Sequence, residues 1–364
     1  MTRNADYPAA LPSLSALTLT ALLLTPGTPT AADSAAPTES QVLATFSLTG
    51  VRPTLSDLAN AGANLTGAVR ALCERPDAAG LERARAAWRT AYLAWRRAEP
   101  FQFGALKALE LGKRIGKEPA NTTVLDGAVT SPELGHLLRS PDARGYAAAE
   151  FLLFVPGDAR TATRDQRCAH LTDTTAEIAD LTALALAVWR QESESGFRAA
   201  GDGAPFLLPG DALSLPIAEA LNVTERMLRD RIGPASGFFE GPADPERLEA
   251  WHSGTSREAL RASLEGLRLL MLGDGATGVA ALVATRDGVL SRKDPKLAAR
   301  LERRFAKSIA ELDDTGRPLH EELRDQPNRL KRLYREVERL QKDIEEVTLV
   351  LELDVLPTNM QPAF

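Results

Sequence analysis

Reactive side chains are scarce in this chain of 364 residues, which has two cysteines and four histidines. It contains no His-Glu-x-x-His helix, no Gly-x-Ser-x-Gly nucleophile elbow and no phosphate-binding glycine loop. Those absences remove the common designs of zinc peptidases, serine hydrolases and nucleotide hydrolases. Cys73 and Cys168 do not have the spacing of a zinc motif. Two readings of the pair stand: one disulfide in an oxidising compartment, or two small core residues. Aromatic residues reach only 5%, while alanine, leucine and arginine are abundant, a mixture that favours helices over strands. No segment shows period-two alternation closed by hairpin turns. The formal charge is −6, and no basic stripe is interleaved with aromatics, so no nucleic-acid partner is expected.

One apolar run, Leu14–Leu24, follows a short polar lead containing Arg3 and ends before Pro26. Thr30-Ala31-Ala32 then supplies small residues. The run is too short to span a bilayer and fits a signal peptide over residues 1–32, cleaved near Ala32 or Ala35. No cysteine follows it, so a lipoprotein anchor is not available. The expectation is a soluble periplasmic product with no transmembrane segment, opening on a flexible lead over residues 33–39.

Beyond the lead, helical periodicity dominates. Leu55, Leu58, Leu65, Val69 and Leu72 recur at helical spacings. Between Pro76 and Pro100, Leu81, Ala84, Ala87, Trp88, Ala91, Tyr92 and Trp95 form one stripe, with Arg83, Arg85, Arg89 and Arg96 largely off it. Trp88, Tyr92 and Trp95 therefore read as core. The pattern loosens from Pro100 to Pro141, a long connection of the kind that borders sites. It returns at Tyr146–Phe154 and Ala176–Trp189, and a glycine-rich break follows at Gly196–Gly210. Leu213, Ile217, Leu221 and Leu228 start the second half. The last helix alternates three and four through Leu330, Leu333, Val337, Leu340, Ile344, Val347 and Leu351, a seam expected to close within the chain. The expected fold is all-α: two tandem, four-helix-bundle-like units, residues 40–200 and 211–356.

Two spots carry chemistry. His170 and Asp173 lie three apart, so on a helix they share a face and are a weak candidate pair of metal ligands. Glu150 stands just before an apolar run in Arg144-Gly145-Tyr146-Ala147-Ala148-Ala149-Glu150-Phe151-Leu152-Leu153-Phe154. A buried carboxylate there needs a cation, a metal or a proton; the alternative is a helix-terminal glutamate in water.

That segment resembles the Gly-x-His-x-x-Glu stretch of imelysin-like proteins. Three further pieces agree in order: Ala87-Trp88 through Glu99-Pro100-Phe101-Gln102-Phe103-Gly104, Leu264-Glu265-Gly266-Leu267 running into Leu272-Gly273, and the amphipathic C-terminal helix. Together they cover about residues 40–355. The resemblance implies two bundles related by duplication with a site between them, export, and a link to iron uptake; the family also carries the name of a peptidase. Mapped onto it, Gly145 and Glu150 match the motif, while Ala147 stands where the histidine would be, removing a nitrogen ligand. A metalloprotease needs about three protein ligands and an activated water, so the leaning is against an enzyme. The expected function is a non-catalytic binding or accessory protein for iron or another divalent metal, with a periplasmic or membrane partner in iron uptake. Glu150, Glu99, Arg144, Gly145 and Glu265 are its candidate ligand-binding residues, and Glu150 is a further weak metal candidate. A metal-dependent peptidase and an envelope scaffold are the alternatives.

Overall fold

The computed structural model describes residues 37–117, 121, 123–125, 127, 140–156, 163–203, 205–239, 241–273, 278–285, 294–313 and 315–355. The expected export segment over 1–32, His136 and the tail Leu356–Pro362 lie outside the described residues.

Among the described residues the regular structure is helical, and the only β pairing is an isolated bridge between Gly203 and Phe206. The helices of seven residues or more are α1 Glu39–Phe46, α2 Arg52–Glu74, α3 Ala78–Ala98, α4 Gly145–Phe154, α5 Arg164–Val188, α6 Pro209–Arg226, α7 Ser256–Leu272, α8 Val279–Thr285, α9 Pro295–Ala310, α10 Leu319–Asp325 and α11 Asn328–Val350. None is long and apolar enough to cross a membrane. Their starts are written in the sequence. Thr38 with Gln41, and Thr163 with Gln166, form capping boxes at α1 and α5, while Asp77 and Asp294 cap α3 and α9. α5 begins well before the Ala176 at which its apolar stripe becomes regular.

The apolar stripes face inward as expected. Leu55, Leu58, Leu65 and Val69 of α2 are buried, as are Trp88, Tyr92 and Trp95 of α3. α2 packs between α3 and α5, and α4 lies on α3 and α5. In the second half α11 packs on α9 and α6, which places its seam inside the chain. The halves meet where α3 packs on α7. There a Cβ on Gly266 would lie 2.2 Å from the Arg97 carbonyl oxygen, so the backbones approach as closely as glycine allows. The buried apolar side chains form one cluster running from Val42 to Leu351.

Arg96 departs from the sequence reading. It was expected off the apolar stripe, yet it is 3% exposed. It sits one turn beyond Tyr92, on the same face, and its charge is met by carboxylates described below.

Cys73 and Cys168 are joined in a disulfide across 95 residues, tying the end of α2 to the start of α5. Closing a loop of that size removes on the order of 4 kcal/mol of chain entropy from the unfolded state. A Cys73→Ser/Cys168→Ser variant is therefore expected to lose about 4 kcal/mol in urea denaturation, and reductant should bring the wild type to the same midpoint.

Candidate functional site

A cleft of about 550 Å³ opens between the C-terminal end of α3, the turns that follow it, the end of α6 and the loop at Arg247–Glu249. Its floor is a buried ionic cluster. Glu99, one residue past α3, is 6% exposed; its Oε1 accepts from Arg226 Nε at 3.1 Å, and its Oε2 lies 3.4 Å from both Arg96 Nη1 and Arg231 Nη1. Glu249 takes Tyr92 Oη and Arg96 Nη2 on Oε2, each at 2.8 Å. Its Oε1 accepts from Arg231 Nε at 2.7 Å and pairs with Arg231 Nη2 as well. Arg226 also donates to Glu219 at 2.9 Å, and Ser263 accepts from Arg231 Nη1 at 3.0 Å.

Local backbone geometry makes this assembly. Helix α6 runs into a π-helical stretch, Met227–Ile232. Residues five apart would point in well-separated directions on an α-helix, but π-type i→i+5 bonding brings them nearly into line. Arg226 and Arg231 are five apart, and both reach Glu99. On the other wall, Ala250 has φ +49°, a left-handed conformation unfavourable for alanine. It turns the chain back so that Ser256 Oγ donates to the Glu249 carbonyl at 2.6 Å.

The charges bias one another. Burial pushes the Glu99 carboxyl up, but Arg226, Arg96 and Arg231 together overcome it and bring it down to about 2. Burial raises the Glu219 carboxyl, and Arg226 and Asn222 do not fully offset this. Of these two carboxyls, Glu99 is the firmly ionised one.

The expected site residues are distributed unevenly around this cleft. Glu99 is in its floor. Glu150 lies in the middle of α4 rather than at a helix end, is 4% exposed, and its Oε1 accepts the Ser253 N–H at 2.7 Å. It therefore faces the second half, and it holds the loop that carries Glu249, but it is not among the cleft-lining residues. Gly145 opens α4 at φ +73°, where a Cβ would sit 2.5 Å from the Ile115 carbonyl oxygen. The Tyr146 N–H donates to that oxygen at 3.0 Å, and Trp88 Nε1 donates to the Tyr146 carbonyl at 2.9 Å. Arg144 pairs with Glu177 of α5. Glu265 pairs with Arg97 and lies 3.4 Å from Arg261, outside the cleft. His170 is buried with Nε2 at 2.7 Å from the Ala143 carbonyl oxygen, and burial holds its pKa down; Asp173 is exposed.

Arg226, Arg231, Glu219 and Glu249 went unread in the sequence. The one local signal was the arginine pair five apart, a spacing that α-periodicity treats as two different faces.

Residues 51–347 match the imelysin family model, Peptidase_M75. The chain belongs to the imelysin family. It is 25% identical over 264 residues to iron-regulated protein A of Synechococcus elongatus, covering 70% of each chain. A crystal structure of an iron-regulated protein A precursor from Parabacteroides distasonis superposes with a TM-score of 0.73 at 18% identity, covering 87% of this chain and 97% of that one. An imelysin-like protein from Psychrobacter arcticum gives a TM-score of 0.69, also at 18% identity, covering 88% and 99%. At that identity the two structures establish the imelysin fold alone.

An iron-linked family raises the question of a resident metal, and the donors do not fit one. Among the described residues no group of three or more His, Cys, Asp and Glu side chains is placed to hold an ion. The cleft's buried carboxylates each contact a guanidinium.

Two outcomes follow for this imelysin. Because the folded Glu99 pKa lies below its ordinary value of 4.5, its stabilising contribution is complete above that pH and is lost as pH falls toward 2. That contribution is on the order of 3 kcal/mol. Glu99→Gln is expected to lose about that much in urea denaturation at pH 7, with a gap from wild type that narrows on going to pH 3. For Glu150, alanine removes the acceptor of the Ser253 N–H and glutamine keeps one. Glu150→Ala should cost about 1–3 kcal/mol and speed hydrogen exchange at the Ser253 amide, while Glu150→Gln should leave that amide protected.

Proposed function

We propose that this imelysin is an exported periplasmic protein that binds a ligand in the Glu99 cleft, serves iron acquisition, and does not hydrolyse peptides. The observation that carries the reading is the pairing of Glu99, Glu219 and Glu249 with Arg96, Arg226 and Arg231 at the floor of an open cleft. Three carboxylates already neutralised by guanidinium groups are poor metal ligands and poor general bases, but they make a rigid, preorganised polar floor. Ala147 supports the same direction, since a nitrogen ligand three residues before Glu150 is missing. The names of its relatives supply the link to iron regulation.

Export is supported by the apolar run Leu14–Leu24 and by the Cys73–Cys168 disulfide, which persists in oxidising compartments. In this reading Glu99 faces the ligand and Glu150 acts through the Ser253 loop. Arg144 and Gly145 fix the start of α4 against Ile115 and α5, and Glu265 ties α7 to α3. A membrane-bound or periplasmic partner would take the cargo onward.

The family's peptidase name favours one competing reading, a metal-dependent peptidase. The purified mature chain, incubated with unfolded peptides, divalent metal and chelator in turn, is expected to leave the peptides intact. Metal-dependent cleavage abolished by Glu150→Gln would replace the binding reading with the enzymatic one.

A further inference from the structure

The cleft has a sign. The chain as a whole carries a net charge of −6, yet the residues lining the cleft carry an excess of two positive charges. In the floor, three guanidiniums balance three carboxylates. The excess arises at the rim, where Lys107, Lys113, Lys117 and Arg247 outnumber Glu110 and Asp230. Both rim acids are engaged by bases, Glu110 by Lys113 and Asp230 by Arg229 from outside the cleft, and Lys117 is itself paired with Asp142 from outside, so the two outside partners cancel and the excess stays at two. Lys107 and Arg247 are exposed at the mouth.

The wall adds a donor. Trp95 lines the cleft, is 1% exposed, and its Nε1 has no hydrogen-bond acceptor among the described residues. A Cβ on Gly116, another lining residue, would sit 2.5 Å from the indole Cζ2 and 2.9 Å from that nitrogen, so Gly116 packs over the N–H edge. An indole N–H can only donate, and buried donors are rarely left unpaired; an acceptor in the cleft reaches this one by displacing Gly116. A ligand that carries negative charge and accepts hydrogen bonds answers the mouth directly and this donor with that movement. The cleft, about 550 Å³, is within the range of roughly 300–1,000 Å³ that accommodates small molecules.

A bare cation meets the opposite situation. To coordinate Glu99, Glu219 or Glu249 it would have to displace a guanidinium and leave that charge without its partner, which desolvation makes unfavourable.

We infer that the ligand of this cleft is a small polycarboxylate anion, and that a metal ion reaches it only within such an anionic chelate. This rests on the binding reading above. Guanidinium and ammonium groups at the mouth draw the anion in, Arg226 meets its carboxylates, and the balanced floor fixes its orientation.

Isothermal titration calorimetry on the mature, disulfide-intact chain at pH 7 tests the inference with four probes: citrate, ferric citrate, uncharged trimethyl citrate, and manganese(II) without chelator. Citrate and ferric citrate are expected to bind, at least tenfold more weakly when sodium chloride is raised from about 50 to 300 mM. The ester and manganese alone are expected not to bind. The exposed double variant Lys107→Glu/Arg247→Glu should weaken citrate at least tenfold while its far-UV circular dichroism still reports the helical fold. The inference is overturned if neither citrate form binds, if the ester binds as well as citrate, or if the charge reversal leaves citrate affinity unchanged. Manganese bound without an anion would also overturn it while leaving the binding reading intact, whereas peptide hydrolysis bears on that reading alone.

Discussion

Six charged side chains, three arginines and three glutamates, cluster where the two halves of the molecule meet, and all but Arg226 are buried. Arg96 and Glu99 come from the end of α3; Glu219, Arg226, Arg231 and Glu249 come from beyond residue 210. Any one of these groups alone in that interior would carry a large desolvation cost. Together they are tolerable only if α3, the end of α6 and the loop at Glu249 keep their relative positions to within hydrogen-bond tolerance. The cluster therefore acts as a registration device for the interface. Around it Gly266 lets α3 and α7 approach to backbone contact, and Glu150 restrains the loop that delivers Glu249.

The same constraint explains how α4 is used. An apolar helix with one carboxylate at its centre would be costly unless that carboxylate found a donor, and it finds the backbone N–H of Ser253. The glycine before it is required by its positive φ and by the Ile115 carbonyl oxygen against which it packs. Gly145 and Glu150 thus both serve to join α4 to neighbouring segments. The cleft itself is built elsewhere, from the end of α3 and its partners. Residues that hold neighbouring segments together need not be the ones that line the cleft.

Much of the fold was legible because helices announce themselves locally. The stripe from Ala84 to Trp95 and the three-four alternation in α11 each lie within a few residues of what they determine. Glu150 was only half legible: standing just before an apolar run it needs a partner if buried, but its spacing alone equally allows a helix end in water. Arg96 was misread because periodicity assigns a charged residue to solvent, whereas its principal partner, Glu249, is 153 residues away and no local pattern contains it. Arg226 and Arg231 were missed because their shared direction depends on a π-helical stretch, which an α-helical projection cannot represent. The disulfide was left open because two cysteines fix a pairing only once geometry brings them together.

Charge balance in the floor also decides what kind of selectivity the cleft can have. A site built on free carboxylates would recognise a cation by coordination, and its affinity would follow ligand number and geometry. Here the carboxylates are spent on guanidiniums, so in the binding reading proposed above discrimination comes from hydrogen-bond direction and from the field at the mouth. Arg226 is the pivot, since it joins Glu99 to Glu219 and is the half-exposed member of the floor. Burial leaves Glu219 the less firmly ionised of its two partners. The tie to Glu99 crosses to the end of α3 while the tie to Glu219 stays within α6, so this one guanidinium joins the interface charge to its own helix.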